Sequence, residues 1–400
     1  MISVTALALA LAASTAQAQY TDGTIKIGVM NDMSGTYKDL SGPGSVVAAR
    51  MAVEDFGAAA KGMKVEIVGA DHQNKPDVGS SIVRAWIDTE KVDVIVDVPT
   101  SSVALAVNEI VRDKNKVFLV SGAAASDLTG AKCTPNTIHW TYDTWALANG
   151  TGQAIVKTGG DTWFFLTANY AFGLALERDT SAVIVKNGGK VLGQVRHPFP
   201  ATDFSSFLLQ AQASKAKIIG LANAGADTVN SIKQAAEFGI VKGGQSLAGL
   251  LVFLTDVKAL GLPVAQGLIF TEAWYWDQND ANREFARKFA EQNGGVYPSM
   301  VHAGVYSAVM HYLKAVESLK SDADGKAVVA KMKELPTDDK LLGKGTIRAD
   351  GRKIHPMYLF EVKKPAESKG PWDLYNLRAT IPAEEAFRPL AEGGCPLVKS

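Results

Sequence analysis

Charge of one sign is missing from this chain of 400 residues: 41 Lys and Arg stand against 41 Asp and Glu, a formal net charge of zero. That balance excludes a general attraction to nucleic acid or anionic lipid, so no nucleic-acid partner is expected. Catalytic signatures are missing as well. The sequence holds no G-x-S-x-G nucleophile elbow, no G-x-x-x-x-G-K-S/T phosphate loop and no complete G-x-G-x-x-G. Its six histidines (His72, His139, His197, His302, His311, His355) lack the H-x-x-x-H or Cys/His spacing of a zinc site. No metal, no cofactor and no catalysis are therefore expected, and only His139 and His197 fall near the cleft anticipated below.

Cysteine is scarce, with Cys133 and Cys395 alone, both close to a proline. An even pair far apart in sequence predicts, in an oxidising compartment, a disulfide tying the tail to the first half of the chain; two free thiols are the rival reading. Long apolar runs are absent after residue 18. The first eighteen residues, MISVTALALALAASTAQA, end in Ala16-Gln17-Ala18, a small-x-small pattern. They read as an export signal cleaved near Ala18, because the run is shorter than the roughly 20 residues a spanning helix needs.

What is present is a repeated rhythm. From 25 to 122, apolar strand candidates (IKIGVMN, MKVEIVGA, VDVIVDV, KVFLVSG) alternate with helix-like runs. From 162 to about 273 the pattern returns with TWFFLTA, KVLGQVRH, KIIGLAN and GLIFTEA. Continuous apolar strands predict parallel sheets covered by helices on both faces. The fold expected is α/β: two doubly wound parallel-sheet lobes joined by a multi-strand hinge, with a cleft between them. A weaker strand is expected at 247–254, and three helices over 280–335 return to the first lobe. The expected division is a signal peptide at 1–18, lobe 1 at 19–138 plus 275–347, and lobe 2 with the tail at 139–274 plus 348–400. Pro76 and the segment 200–203 each open a helix, with a side-chain oxygen nearby to cap it.

Ligands of open parallel sheets sit beyond the carboxyl ends of strands, where helix N-termini offer free N–H groups. The candidates are therefore strand-end residues. In the first half they are Tyr37, the hydroxyl turn Thr100, Ser101 and Ser102, and the small-residue turn Gly122, Ala123 and Ala124. In the second half they are Asn169, Tyr170 and Asn223, with Tyr142 and Trp274 at the expected crossings. Hydroxyls and small residues at adjacent strand ends let a carboxylate approach the backbone, and aromatic rings make flat apolar walls.

In order along the chain, IKIGVMNDMSGTY, DVPTSSVALAV, VSGAAASDLTG, NYAFG and NAGADTVNSIKQA resemble the type I periplasmic solute-binding proteins of ABC importers, in the Leu/Ile/Val-binding-like group. The resemblance covers nearly all of the chain after residue 18. It implies a monomeric periplasmic receptor that closes on a small molecule and presents it to membrane permease subunits. Thr100, Ser101, Ser102, Gly122 and Ala124 correspond to the family's grip on an α-carboxylate, and Tyr170 to its cleft tyrosine. Two departures stand out. The family's amino acid binders carry an acid before the second crossing, where this chain reads LAGLLVFLTD, and Ala-Asn-Ala-Gly surrounds Asn223 where aromatics are common. A ligand ammonium without a partner in a closed cleft costs several kcal/mol. The expected ligand is a carboxylate with an apolar or aromatic body. The alternatives are a branched-chain or other amino acid, with Asp143, Asp227 or Asp256 as its acid, and a soluble sensory ligand-binding protein.

Overall fold

In the computed structural model, which describes residues 20–399, the β-branched and aliphatic runs become the strands of two parallel sheets. The first contains β1 (Ile25–Asn31), β2 (Val65–Asp71), β3 (Val94–Asp97), β4 (Val117–Val120) and β5 (Thr137–His139), in the order β2-β1-β3-β4-β5. Successive side chains of a strand point to opposite faces, and both faces are covered. Val94 and Val96 join the core under α1 (Gly42–Phe56), whereas Ile95 and Val98 join the one under α2 (Pro76–Asp88) and α3 (Ser101–Asp113).

The second sheet repeats the plan. After α4 (Thr144–Leu147), a π turn and α5 (Gln153–Lys157) come β6 (Thr162–Ala168), α6 (Ala171–Lys186), β7 (Lys190–His197) and α7 (Ser205–Ala213). They are followed by β8 (Ile218–Ala222), α8 (Ala226–Glu237) and β9 (Ser246–Gly249). The order β7-β6-β8-β9 is that of β2-β1-β3-β4, which is the repeat seen in the sequence. The segment expected as a strand at 247–254 is shorter: β9 stops at Gly249, a buried loop follows, and Leu254 already opens the helix α9 (Leu254–Leu260). The expected side-chain caps differ too. Lys75 precedes α2 with no side-chain cap, whereas Asp203 Oδ1 accepts from the Ser205 amide at the start of α7.

Beyond α10 (Leu262–Ala265) and β10 (Ile269–Glu272) the chain returns to the first sheet through α11 (Asp280–Gln292), α12 (Met300–Leu319) and α13 (Gly325–Glu334), with α12 lying along α1. A small antiparallel sheet of β11 (Thr337–Asp339), β12 (Gly343–Ile347) and β13 (Lys353–Ile354) follows. Finally β14 (Met357–Val362) pairs with both β10 and β15 (Tyr375–Ile381).

Two of the passages between the lobes run side by side. His139 bridges Arg352, the Arg352 guanidinium donates to the Tyr142 carbonyl at 3.0 Å, and His355 Nε2 donates to the Thr141 carbonyl at 2.8 Å. Cys133 and Cys395 form a disulfide, with Cα atoms 5.7 Å apart, that returns the tail to the first lobe. The export signal expected at 1–18 lies outside the described residues. Among the described residues no helix is long and apolar enough to cross a membrane, and no group of His, Cys, Asp or Glu is arranged to hold a metal.

Candidate functional site

The strand ends of the two sheets face each other across a narrow cavity. Its lining comes from both lobes and a crossing between them: Tyr37, Leu40, Pro99, Gly122 and Ala124 on one side, Tyr142 at the crossing, and Tyr170, Phe172, Ala224, Leu251 and Phe253 on the other. No charged side chain is among them.

The local chain explains how these groups arrive. Asp32 accepts from the Gly35 and Tyr37 amides at 2.7 and 2.8 Å, folding the turn after β1 so that Tyr37 enters the cleft. In NYAFG, Tyr170 is the extended residue before α6, and a Cβ at Gly173 would lie 2.0 Å from the Ala168 carbonyl oxygen, so only glycine allows this tight strand-to-helix turn. The Tyr37 and Tyr170 hydroxyls hydrogen-bond each other across the cleft. Phe199 lies against both rings, 5.3 Å from Tyr37 and 4.3 Å from Tyr170 between centroids.

Burial pushes the Tyr37, Tyr142 and Tyr170 hydroxyls well above the ordinary tyrosine value, so all three are neutral O–H groups. Tyr142 spends its proton on the Gly122 carbonyl at 2.5 Å. In the Tyr37–Tyr170 pair one hydroxyl donates to the other, which leaves one O–H in the cavity wall free to donate.

The lobes are closed on each other. The Ala226 amide donates to the Thr36 carbonyl at 3.2 Å, and Ser126 Oγ donates to Asp179 at 2.6 Å. Arg178 reaches Asp127 of the opposite lobe at 3.2 Å.

Of the twelve residues expected from sequence, Tyr37, Gly122, Ala124, Tyr142 and Tyr170 line the cavity and seven do not. Thr100 turns its hydroxyl to the Asn74 side chain, and Ser101 Oγ accepts from the Ala124 and Ala125 amides at 3.3 and 3.2 Å. Those two hydroxyls neither cap α3 nor face the cavity; they fix the loops that do. Ser102 is half-buried on α3. Ala123 is buried, its carbonyl accepting from His139 Nε2. Asn169 is exposed, and the Asn223 side chain is occupied by Thr228 and Ser231 within the second lobe. Trp274 packs edge-on against Phe285, 5.9 Å away.

None of the three acids considered as partners for an ammonium lines the cavity, although the buried Asp227 Oδ2 has no hydrogen-bond partner among the described residues. Asp143 caps α4 and lies 3.5 Å from Arg352, Asp227 accepts from the Ala201 amide, and Asp256 accepts from the Phe253 amide. Sequence reasoning missed Leu40, Pro99, Phe172, Ala224, Leu251 and Phe253. Pro99, Phe172 and Ala224 are one or two positions from residues it selected.

Two parallel-sheet lobes closed around a small cavity between their strand ends are the architecture of a solute-binding protein. Residues 24–370 match the periplasmic binding protein family, and the chain belongs to it. It is 52% identical to a periplasmic binding protein from Burkholderia mallei, with a TM-score of 0.92, over 95% of this chain and all of that one. It is 41% identical to a branched-chain amino acid ABC transporter periplasmic ligand-binding protein from Burkholderia xenovorans LB400, with a TM-score of 0.83, over 94% of this chain and 100% of that one. The fold is shared by a solute-binding protein of an ABC transporter from R. palustris, in complex with benzoate: 23% identical, TM-score 0.82, over 94% of this chain and 100% of that one. The chain is a solute-binding protein of the ABC-transporter type.

Proposed function

We propose that this protein is the exported, monomeric receptor of an ABC importer, released near Ala18, that closes on a small aromatic or apolar carboxylate and delivers it to membrane permease subunits. On this reading the closing lobes are 19–138 with 275–347 and 139–274 with 348–400. The observation that carries the ligand class is the cavity wall: aromatic and aliphatic throughout, with one uncommitted tyrosine O–H and no carboxylate to pair an ammonium. The benzoate complex of the R. palustris protein supports the same class.

A second reading, a branched-chain amino acid, is favoured by the Burkholderia xenovorans relative. Thermal shift on ligand-stripped protein separates the two. Benzoate, 4-hydroxybenzoate and phenylpyruvate are expected to raise the melting temperature; ligand at a hundredfold excess over Kd stabilises the fold by about 2.7 kcal/mol. A shift with leucine, isoleucine or valine and none with the aromatic acids would overturn the ligand class and leave the receptor reading in place.

A further inference from the structure

Asp97, at the end of β3, lies directly behind the cavity floor. It is fully buried, and a Cβ added at Gly122, a lining residue, would sit 2.7 Å from its Oδ1. The backbone there is unusual: Asp97 has φ +79° and the β-branched Val98 has φ +56°, left-handed conformations that persist only where the surroundings impose them. Asp97 Oδ2 accepts from Ser41 Oγ at 2.9 Å and from Ser45 Oγ at 2.5 Å. Oδ1 has no hydrogen-bond partner among the described residues.

Among the described residues no cation faces this carboxyl. Around it stand Asn31 of β1, Ser41 and Ser45 at the start of α1, the Gly122 amide after β4, and the Tyr142 hydroxyl. Two histidines stand one residue further out. His302 of α12 donates Nε2–H to the Ser41 carbonyl, and His139 of β5 bonds the Ala123 carbonyl; burial holds both below the usual histidine value, so neither is charged at neutral pH. Burial pushes Asp97 up to about 7.

We infer that Asp97 sets the charge selectivity of the cavity: it is protonated when the ligand is bound, so an anionic carboxylate seated at Gly122–Ala124 meets a neutral floor, and binding takes up one proton. The proton goes from solvent to the Asp97 carboxyl, and no bond of the ligand changes. This rests on the carboxylate reading above. Ionised, Asp97 would repel the ligand through a floor one residue thick, where low polarity leaves that repulsion poorly screened.

The test is calorimetry with benzoate on the full chain, across about pH 5.5–8.5 and in buffers of different ionisation enthalpy. The wild type is expected to take up a proton on binding above neutrality, with Kd rising about tenfold per pH unit there and flattening below. Asp97→Asn should bind with little pH dependence. Ser45→Ala, which removes a hydrogen bond favouring the charged form, should move the midpoint to higher pH and covers the case in which Asp97→Asn fails to fold. Wild-type binding without proton uptake, an Asp97→Asn slope equal to wild type, or an unmoved Ser45→Ala midpoint would each overturn the proposal. Should benzoate fail while leucine binds, the aromatic-acid reading falls, and the leucine curves judge Asp97 by the same outcomes.

Discussion

Tyr37 and Tyr170 meet through their hydroxyls alone, one from each lobe, so this single bond belongs to the closed state and not to either folded lobe. Replacing Tyr37 by Phe keeps the ring against Phe199 and removes the bond. A hydrogen bond of this kind contributes about 0.5–1.5 kcal/mol net, so affinity for the acid that stabilises the wild type should fall roughly 2–10-fold, with ligand-free melting unchanged. Tyr170→Phe should cost the same, and the double variant more than either single one, because it also removes the last O–H left to donate to the ligand. A double variant no weaker in calorimetry than the single ones would mean that neither hydroxyl donates to the ligand. Sequence reasoning reached both tyrosines because each lies in a turn beyond a strand end, where a ring is placed to point at the cleft. It selected Thr100 and Asn223 where the cavity uses their neighbours Pro99 and Ala224. In a turn, which side chain points inward depends on contacts such as Thr100 with Asn74, and residue types carry no record of those.

Among the elements, the start of α8 controls closure most directly. Gly225 precedes that helix with φ +59°, and a Cβ there would lie 2.5 Å from the Thr36 carbonyl oxygen, which belongs to the opposite lobe. Backbone cannot swing aside as a side chain does, so Gly225→Ala should hold the lobes apart. Ligand affinity is expected to fall at least about tenfold, or 1.4 kcal/mol. The strained φ adds a folding cost of order 1–3 kcal/mol, so affinity alone does not identify the mechanism. Small-angle scattering does: the wild type should contract on adding ligand and the variant should not. Contraction of Gly225→Ala with wild-type affinity would remove Gly225 from the closing contact. This glycine was visible in NAGADTVNS as a helix start, but its opposite-lobe partner was not. The loop carrying Leu251 and Phe253 was hidden for a different reason. LAGLLVFLTD is apolar throughout, so no periodicity separates a four-residue strand, a buried loop and the first turn of a short helix.

Across the whole molecule, the two parallel sheets were legible because each strand carries its own apolar run and each crossover its own helix. The sheet of β10, β14 and β15 was only half legible: the final pair is local, but β10 joins it from about 90 residues away, and such pairing leaves no short-range pattern. Burial of titratable groups is likewise a property of the assembled fold, and it sets how stability depends on pH. Burial raises Asp97, Asp227 and Asp256 to about 7 and Asp93 to about 6, and lowers His72, His302 and His311 to about 4. The raised carboxyls stabilise the fold fully below their unfolded value near 3.9, and that stability is lost as pH rises through 7. The histidines act in the opposite sense: their contribution is present above the unfolded value near 6.5 and is lost as pH falls towards 4. Between about 4 and 7 the two slopes oppose each other, with the four carboxyls outweighing the three histidines; above about 8 both sets have titrated. The urea midpoint of ligand-free protein should therefore decline gradually from about pH 5 to 8, with a loss on the order of 3 kcal/mol. Asp97→Asn should remove part of that decline, because the amide has no proton to lose. A midpoint that stays level or climbs between about pH 6.5 and 8 would mean that these carboxyls are already ionised in the folded protein, with water or counter-ions reaching them.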